Sequence, residues 1–142
     1  MLENQHDHAW SMRVPFRDVD MNSNVHNSIY QAYCETAINE FLRRHSLNQH
    51  FSFDDRSWAY LVRRAELVFT RPSTFEDELL FTVRVTRLGD SSVTFGISVL
   101  GRDESAPRTT ASITWVHVDT STGTATSIPN HTRTALSAHL AE

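Results

Sequence analysis

The residues best able to do chemistry in this chain are concentrated in one short stretch ahead of an apolar helical pattern. Eight hydrogen-bonding side chains fall within eleven positions: Asp18, Asp20, Asn22, Ser23, Asn24, His26, Asn27 and Ser28. Carboxylates and imidazole can take or give a proton, and amides and hydroxyls can orient a polar ligand. A surface loop needs some polarity but not this density, so the stretch indicates a functional site.

The element that follows is predicted to be a long helix with the polar stretch at its N-terminus. From Tyr30 the apolar residues stand at positions 30, 33, 34, 37, 38, 41 and 42, which places them on one helical face. Ser28 followed by Gln31 fits a capping box, so the helix is expected to begin near Ser28 and to end near His45. Cys34 lies on the apolar face and is predicted to be a small core residue.

The rest of the chain has the pattern of strands and turns. A first strand is expected from Trp10 to Phe16, and a polar loop from Leu47 to Arg56. Period-two patterns then predict four strands, at Ala65–Phe69, Leu79–Arg87, Val93–Leu100 and Thr109–Val118. A short C-terminal helix should follow Pro129 and Asn130. This order predicts an α+β domain whose antiparallel sheet of about five strands wraps around one long helix.

Composition narrows the classes of function. The 142 residues suit a single domain, and 39% hydrophobic content supports a folded core. A net charge of −4 with scattered arginines argues against a nucleic-acid partner. No apolar run is long enough to span a membrane and the N-terminus lacks a signal pattern, so a soluble, cytoplasmic protein with a flexible segment at residues 1–9 is expected. A single cysteine and the histidine spacing give no reason to expect a metal site or a cofactor.

The order of motifs resembles the hotdog-fold acyl thioesterases, in particular the 4-hydroxybenzoyl-CoA thioesterase-like family. That family carries a second Asp in a D-x-D pattern after the first strand, followed by Val, Tyr and a helical Glu. The matching residues here are Asp20, Val25, Tyr30 and Glu35, with Asp18 before them. The later text RAELVFTRPSTFEDELLFTVRVTRLGDSSVTF resembles the family's central strands. The resemblance covers about Trp10 to Leu140.

The resemblance implies hydrolysis of an acyl thioester, with Asp20 as the nucleophile or as the general base that activates water. Unpaired backbone N–H groups from Asn27 to Ile29, at the helix N-terminus, would polarise the thioester carbonyl and keep Asp20 ionised. Asn27 can cap the helix at the same time. His26 either orients water or the acyl group, or is a hydrogen-bonded loop residue.

The expected substrate-binding residues are Ser28, Tyr30, Arg87, Ser91 and Ser92. Tyr30 would pack beside the site, and the paired serines would touch a pantetheine arm. Arg87 is the basic residue at the turn where some relatives hold CoA phosphates, and Arg102 and Arg108 are further candidates. Phe51 and Phe53 would border the acyl pocket. The substrate is therefore expected to be an acyl-CoA or an acyl carrier protein.

Alternatives to hydrolysis remain open from the sequence. Acyl-carrier-protein thioesterases read roughly D-x-N-x-H-V-N-N, and here Asn24 stands at the histidine position while a histidine appears at position 26. Hotdog enoyl-thioester hydratases need D-x-N-P-x-H, which lacks its Pro here. A non-catalytic acyl-thioester binding protein is the third possibility. The family pairs its sheets edge to edge, which implies a homodimer or homotetramer with shared active sites.

Overall fold

The computed structural model describes residues 9–52 and 57–141, and these form five strands and two α-helices. The strands are β1 (Trp10–Arg13), β2 (Trp58–Phe69), β3 (Glu78–Leu88), β4 (Ser92–Gly101) and β5 (Thr109–Asp119). The helices are α1 (Tyr30–Arg44), between β1 and β2, and the C-terminal α2 (Asn130–Ser137). No helix in these two ranges is long and apolar enough to cross a membrane.

One antiparallel sheet wraps around α1, which confirms the predicted α+β architecture. Its strand order is β1-β3-β4-β5-β2. Alternate residues of β3 and β4 face the helix and are fully or almost fully buried: Leu79, Phe81, Val85, Val93, Phe95, Ile97 and Val99. The other face carries mainly polar side chains, such as Thr94 and Thr114, whose hydroxyls lie 2.8 Å apart. This alternation gives the sheet one core face and one polar face.

The apolar face predicted for α1 is the face that enters the core. Its buried residues are Tyr30, Tyr33, Cys34, Ala37, Ile38, Phe41 and Leu42. Burial raises the pKa of the Cys34 thiol to about 12, so this residue is an inert core side chain, as predicted.

The boundaries of several elements differ from the sequence-based expectation. β1 ends at Arg13 rather than Phe16, because Pro15 precedes a 3₁₀ turn at Phe16–Asp18. β2 begins at Trp58, well before the alternating segment that predicted it. The polar loop after α1 contains a 3₁₀ turn at Asn48–Phe51. Phe53 lies outside the described residues.

Strand β2 is the long edge of the sheet and retains much apolar surface. It spans 12 residues, whereas the opposite edge strand β1 spans 4. Four of its apolar side chains are 44–54% exposed: Leu61, Val62, Val68 and Phe69. A long, exposed, apolar edge strand is prone to pair with another strand.

Candidate active site

The polar stretch at residues 18–28 folds into a closed loop, the reactive loop, whose two ends are joined by hydrogen bonds. Val19 and Val25 form an antiparallel bridge, and the His26 N–H donates to the Asp18 carbonyl at 3.1 Å. The Asp18 carboxylate accepts a 2.6 Å hydrogen bond from the Tyr33 hydroxyl on α1. These contacts fix the loop against the first turns of α1, so the residues between positions 18 and 28 keep a defined geometry.

Asp20 stands at the corner of this loop with one carboxylate oxygen engaged and the other available. Its Oδ1 accepts hydrogen bonds from the N–H groups of Asn22 at 2.8 Å and Asn24 at 3.3 Å. Its Oδ2 makes no hydrogen bond to any residue that the structure describes. The Asx-type turn that is the ordinary structural role of a loop Asp is therefore present. It occupies only Oδ1, which leaves Oδ2 for chemistry.

His26, not Ser28, caps the helical segment. A 3₁₀ turn at Asn27–Ile29 precedes α1, and the His26 side chain accepts the Ser28 N–H at Nδ1, at 3.2 Å. The Ser28 hydroxyl also lies 2.7 Å from Nδ1. The predicted capping box at Ser28 is wrong because the capping position lies two residues earlier and is taken by the imidazole of His26.

The capping geometry reduces the number of free N–H groups at the start of the helix. The Ser28 N–H is used by the imidazole of His26, and the Ile29 N–H donates to the His26 carbonyl at 2.9 Å. Among the three N–H groups expected to polarise a carbonyl, only that of Asn27 has no partner among the described residues. The site therefore offers one free backbone donor rather than three.

Asp20, His26 and Asn27 line one open cleft of about 410 Å³. The other lining residues are Asn24, Val25, Tyr30, Phe69, Thr70, Arg71 and Pro72. The last four lie at the end of β2 and directly after it, and the sequence reasoning did not place them in the site. Pro72, which closes an edge strand, was the signal that the chain turns here. The reactive loop thus forms one wall of the cleft, and Phe69, Thr70, Arg71 and Pro72 form the second wall.

Tyr30 packs against the second wall and links it to the reactive loop. It is only 3% exposed, its ring centroid lies 5.2 Å from that of Phe69, and its hydroxyl accepts the Ser73 N–H at 3.2 Å. The Ser73 carbonyl in turn accepts the Val25 N–H at 2.8 Å. Tyr30 therefore lines the cleft and also connects the chain after β2 to the reactive loop.

An ion-pair network supports the second wall. The Arg108 guanidinium binds Glu104 at 2.6 Å and Asp77 at 2.7 Å, and Glu104 also binds Arg71 at 2.5 Å. The Arg108 carbonyl accepts the N–H groups of Thr70 and Arg71. Arg108 is thus committed to structure, and Arg102 pairs with Glu78 at 3.0 Å. Neither arginine lines the cleft, so the expectation that they hold substrate phosphates has no support in their positions.

This network should make the protein sensitive to acid through Glu104. Hydrogen bonds from Arg108, with a contribution from Arg71, lower the pKa of Glu104 from 4.5 to about 2. A carboxylate with a depressed folded-state pKa stabilises the fold above its unfolded pKa, and this contribution is lost as the pH falls toward the folded value. The difference in unfolding free energy between wild type and Glu104→Gln should therefore be constant above about pH 4.5 and shrink below it. Urea unfolding across this range measures the difference, and a gap that widens in acid would contradict the assignment.

Three predicted substrate-binding residues lie away from the cleft in this chain. Ser91 belongs to the β3–β4 turn, Ser92 begins β4, and Arg87 lies near the end of β3. The reactive loop contacts the chain just before the opposite end of β3, where the Phe75 N–H donates to the Ser23 carbonyl at 3.1 Å. At about 3.3 Å per residue, the length of β3 separates the two ends by about 30 Å. A single chain therefore does not bring these three residues to Asp20.

Two other predicted residues also lie outside the cleft lining. Ser28 contacts His26 and supports its ring. Phe51 packs on Tyr60 and Trp115, with ring centroids at 4.6 and 5.6 Å, beyond the C-terminal end of α1. Both residues hold other parts of the fold in place rather than lining the described cleft.

The fold and the sequence together identify the class of protein. The chain belongs to the thioesterase-like superfamily, whose pattern it matches over residues 14–136. Residues Val14 to Leu136 include the reactive loop, both walls of the cleft and most of α2. The expected relationship to the hotdog thioesterases is confirmed at the level of family and fold.

Particular relatives agree with this class. The acyl-CoA thioester hydrolase YbgC of Escherichia coli is 29% identical over 86 residues, which are 61% of this chain and 63% of that protein. The match thus spans somewhat less than two thirds of the relative's length.

Solved structures show the same fold. A protein from Pseudomonas aeruginosa has a TM-score of 0.80 at 23% identity, over 97% of this chain and 96% of the other. A 1,4-dihydroxy-2-naphthoyl-CoA thioesterase from Synechocystis has a TM-score of 0.81 at 16% identity, over 90% and 93% of the two chains.

Proposed function

We propose that this protein hydrolyses acyl thioesters, and that acyl-CoA is its substrate class. The observation that carries the proposal is the pairing, in one cleft, of the free Asp20 Oδ2 with the free Asn27 N–H at the start of a helix. A carboxylate can deliver a nucleophile to a carbonyl carbon while a backbone donor and the helix dipole stabilise the negative charge on its oxygen. The family membership and the name of the YbgC relative support the same reaction.

Two routes lead to the same products. As a general base, Asp20 takes a proton from water while the water oxygen attacks the thioester carbon. As a nucleophile, Asp20 bonds to that carbon and forms a mixed anhydride, which water then cleaves. In both routes the carbon–sulfur bond breaks, the thiolate gains a proton and the acyl group leaves as a carboxylic acid. The acyl carrier is CoA in this proposal, and an acyl carrier protein is the second carrier to test.

The activity is tested by thiol release from a panel of short, long and aromatic acyl-CoAs. Turnover of at least one member supports the proposal, and the preferred member gives the acyl class. Absence of turnover on the whole panel shifts the test to carrier-protein thioesters. If these also fail, equilibrium binding of the same panel distinguishes a binding protein from an unrelated function.

We further propose that the protein is a homodimer paired through β2, with each cleft at the interface. The support is the exposed apolar edge of β2, together with the position of Phe69 and Thr70 at the end of that strand and in the cleft wall. Pairing two copies antiparallel would satisfy the edge hydrogen bonds and cover the exposed side chains. It would also bring the partner's β2 beside the cleft.

A charged edge should disrupt this dimer. Leu61→Lys combined with Val68→Lys places two charges on β2, where desolvation opposes pairing. Sedimentation velocity should show a dimer for wild type and a monomer for the double variant. Thr82→Lys with Thr110→Lys, on the polar face of inner strands, is the control and should remain a dimer. A monomeric wild type, or a double variant that sediments as a dimer, would contradict the proposed interface.

A further inference from the structure

The reactive loop is one hydrogen-bond donor short of a complete oxyanion site. Attack on a thioester carbonyl places negative charge on its oxygen, and acyl-transfer sites meet this charge with fixed hydrogen-bond donors. The backbone at the start of the helix supplies only the Asn27 N–H, since the N–H groups of Ser28 and Ile29 are already engaged. A side chain in the cleft can supply a second donor.

The contacts of His26 define which of its ring nitrogens carries the proton. A backbone N–H can only donate, so the bond from the Ser28 N–H makes Nδ1 an acceptor. The Ser28 hydroxyl, 2.7 Å from the same nitrogen, then donates to it as well. With Nδ1 unprotonated, the neutral ring holds its proton on Nε2. Nε2 has no partner in the described part of the chain, and His26 lines the cleft beside Asn27.

We propose that His26 is the second oxyanion donor, giving a hydrogen bond from Nε2–H to the thioester oxygen, and that Ser28 is the positioning residue that fixes this tautomer. The proposal rests on thioester hydrolysis as the function of the cleft. It assigns His26 a hydrogen bond that strengthens as charge develops, with no transfer of its proton. Asp20 then acts on the carbonyl carbon or on water, and His26 acts on the carbonyl oxygen.

In this tautomer, His26 does not act as the general base. A ring nitrogen that carries a proton has no lone pair with which to accept another. Nδ1 has a lone pair, but it faces Ser28 and is engaged there. Asp20 is the one carboxylate among the residues that line the described cleft. Donor and acceptor functions therefore fall on two different residues of the same loop.

Nitrogen-15 NMR of the imidazole rings tests the tautomer without any substrate. The His26 signals, assigned by their loss in His26→Asn, should show a protonated Nε2 and an unprotonated Nδ1 in the wild type. Ser28→Ala and Ser28→Thr both retain the backbone N–H that Nδ1 accepts, so both should keep the wild-type tautomer. A wild-type ring protonated on Nδ1 would overturn the proposal.

Two substitutions of His26 separate its capping role from its proposed catalytic role. In His26→Asn, the side-chain oxygen can occupy the position of Nδ1 and keep the cap, since Asn is a preferred capping residue. The Nε2–H donor is lost. In His26→Gln, the longer amide can place an N–H donor near the position of Nε2, but the cap is weakened. His26→Asn should lose activity and keep the stability of the fold. His26→Gln should keep more of the activity and lose stability.

The expected effects are large enough to separate the two roles. His26→Asn should lower kcat about 100-fold with little change in KM, the effect of removing one oxyanion donor, and leave Tm near that of wild type. His26→Gln should retain more of kcat while Tm falls by about 3 °C. Ser28→Ala should lower kcat by roughly tenfold or less. His131→Ala, at an exposed position of α2, is the matched histidine control and should leave kcat unchanged.

The outcomes distinguish this proposal from the function on which it rests. Hydrolysis that is abolished by Asp20→Asn but retained within twofold in His26→Asn would overturn the role of His26 and leave the thioesterase intact. A wild type that hydrolyses no thioester would overturn both. A rise in KM with unchanged kcat for His26→Asn would indicate ground-state binding and would also contradict the assigned role.

Discussion

Asp20→Asn should lower kcat for thioester hydrolysis by at least ~100-fold, the scale expected for removing a group that takes a proton or attacks in the transition state. The substitution is nearly isosteric. The two N–H groups that bind Oδ1 require an acceptor, so the Asn oxygen should stay in that position. The amide nitrogen then replaces the free Oδ2, and it can neither accept a proton nor attack a carbonyl carbon.

The matched control for this prediction is the other Asp of the D-x-D pattern. In Asp18→Asn the side-chain oxygen can still accept the Tyr33 hydroxyl, so kcat should fall less than tenfold. The ligand that the panel identifies should bind Asp20→Asn with a dissociation constant close to that of wild type. An unchanged rate of hydrolysis in Asp20→Asn, or an equal loss of kcat in both variants, would contradict a catalytic role for Asp20.

Isotope labelling then separates the two possible roles of Asp20. In a single turnover in ¹⁸O water, a general base delivers the label to the released acid. A nucleophile forms an anhydride, and attack of water on the Asp20 side of that anhydride leaves the label on the protein. Label found on Asp20 by mass spectrometry would therefore establish the nucleophilic route, whereas label in the released acid alone arises from the general base or from attack on the acyl side of the anhydride.

The sequence predicted the core elements because their periodicity is strong. The apolar positions of α1 from Tyr30 to Leu42 repeat at helical spacing, and those of β3 and β4 alternate, so burial follows directly from the pattern. The start of α1 was harder to predict. Ser28 and Gln31 fit a capping box, yet His26 took the cap, because an imidazole nitrogen can accept an N–H just as a hydroxyl oxygen does.

The cleft was only half predictable for a different reason. Asp20, His26 and Asn27 are neighbours in sequence, so a local motif reveals them together. Phe69 and Arg71 are more than forty residues away in sequence, and their place in the cleft depends on how β2 ends beside the reactive loop. That contact is set by the hydrogen bonds of Ser73 to Tyr30 and Val25, which no local pattern encodes.

Among the partly exposed positions that support the cleft wall, Arg108 should cause the largest loss of folding stability when its side-chain charge is removed. Arg108→Met keeps the length of the apolar stem but leaves Asp77 and Glu104 without their shared partner. The three side chains are only 15–29% exposed. Breaking a fully buried pair costs about 3–5 kcal/mol, and partial exposure reduces the expected loss to about 2–3 kcal/mol. For a domain of this size Tm should fall by about 5–10 °C.

Arg102→Met is the matched control, because it removes the same charge from the same loop at an exposed position. The Arg102 side chain is 67% exposed where it binds Glu78, so its loss should cost less than about 1 kcal/mol. Urea unfolding of both variants gives the comparison. A clear difference between the two losses would mean that the partly buried network, rather than net charge, holds the wall formed by Thr70 and Arg71. Equal losses would mean that the wall depends instead on the bond between Tyr30 and Ser73, and Tyr30→Phe should then be the variant that loosens the cleft.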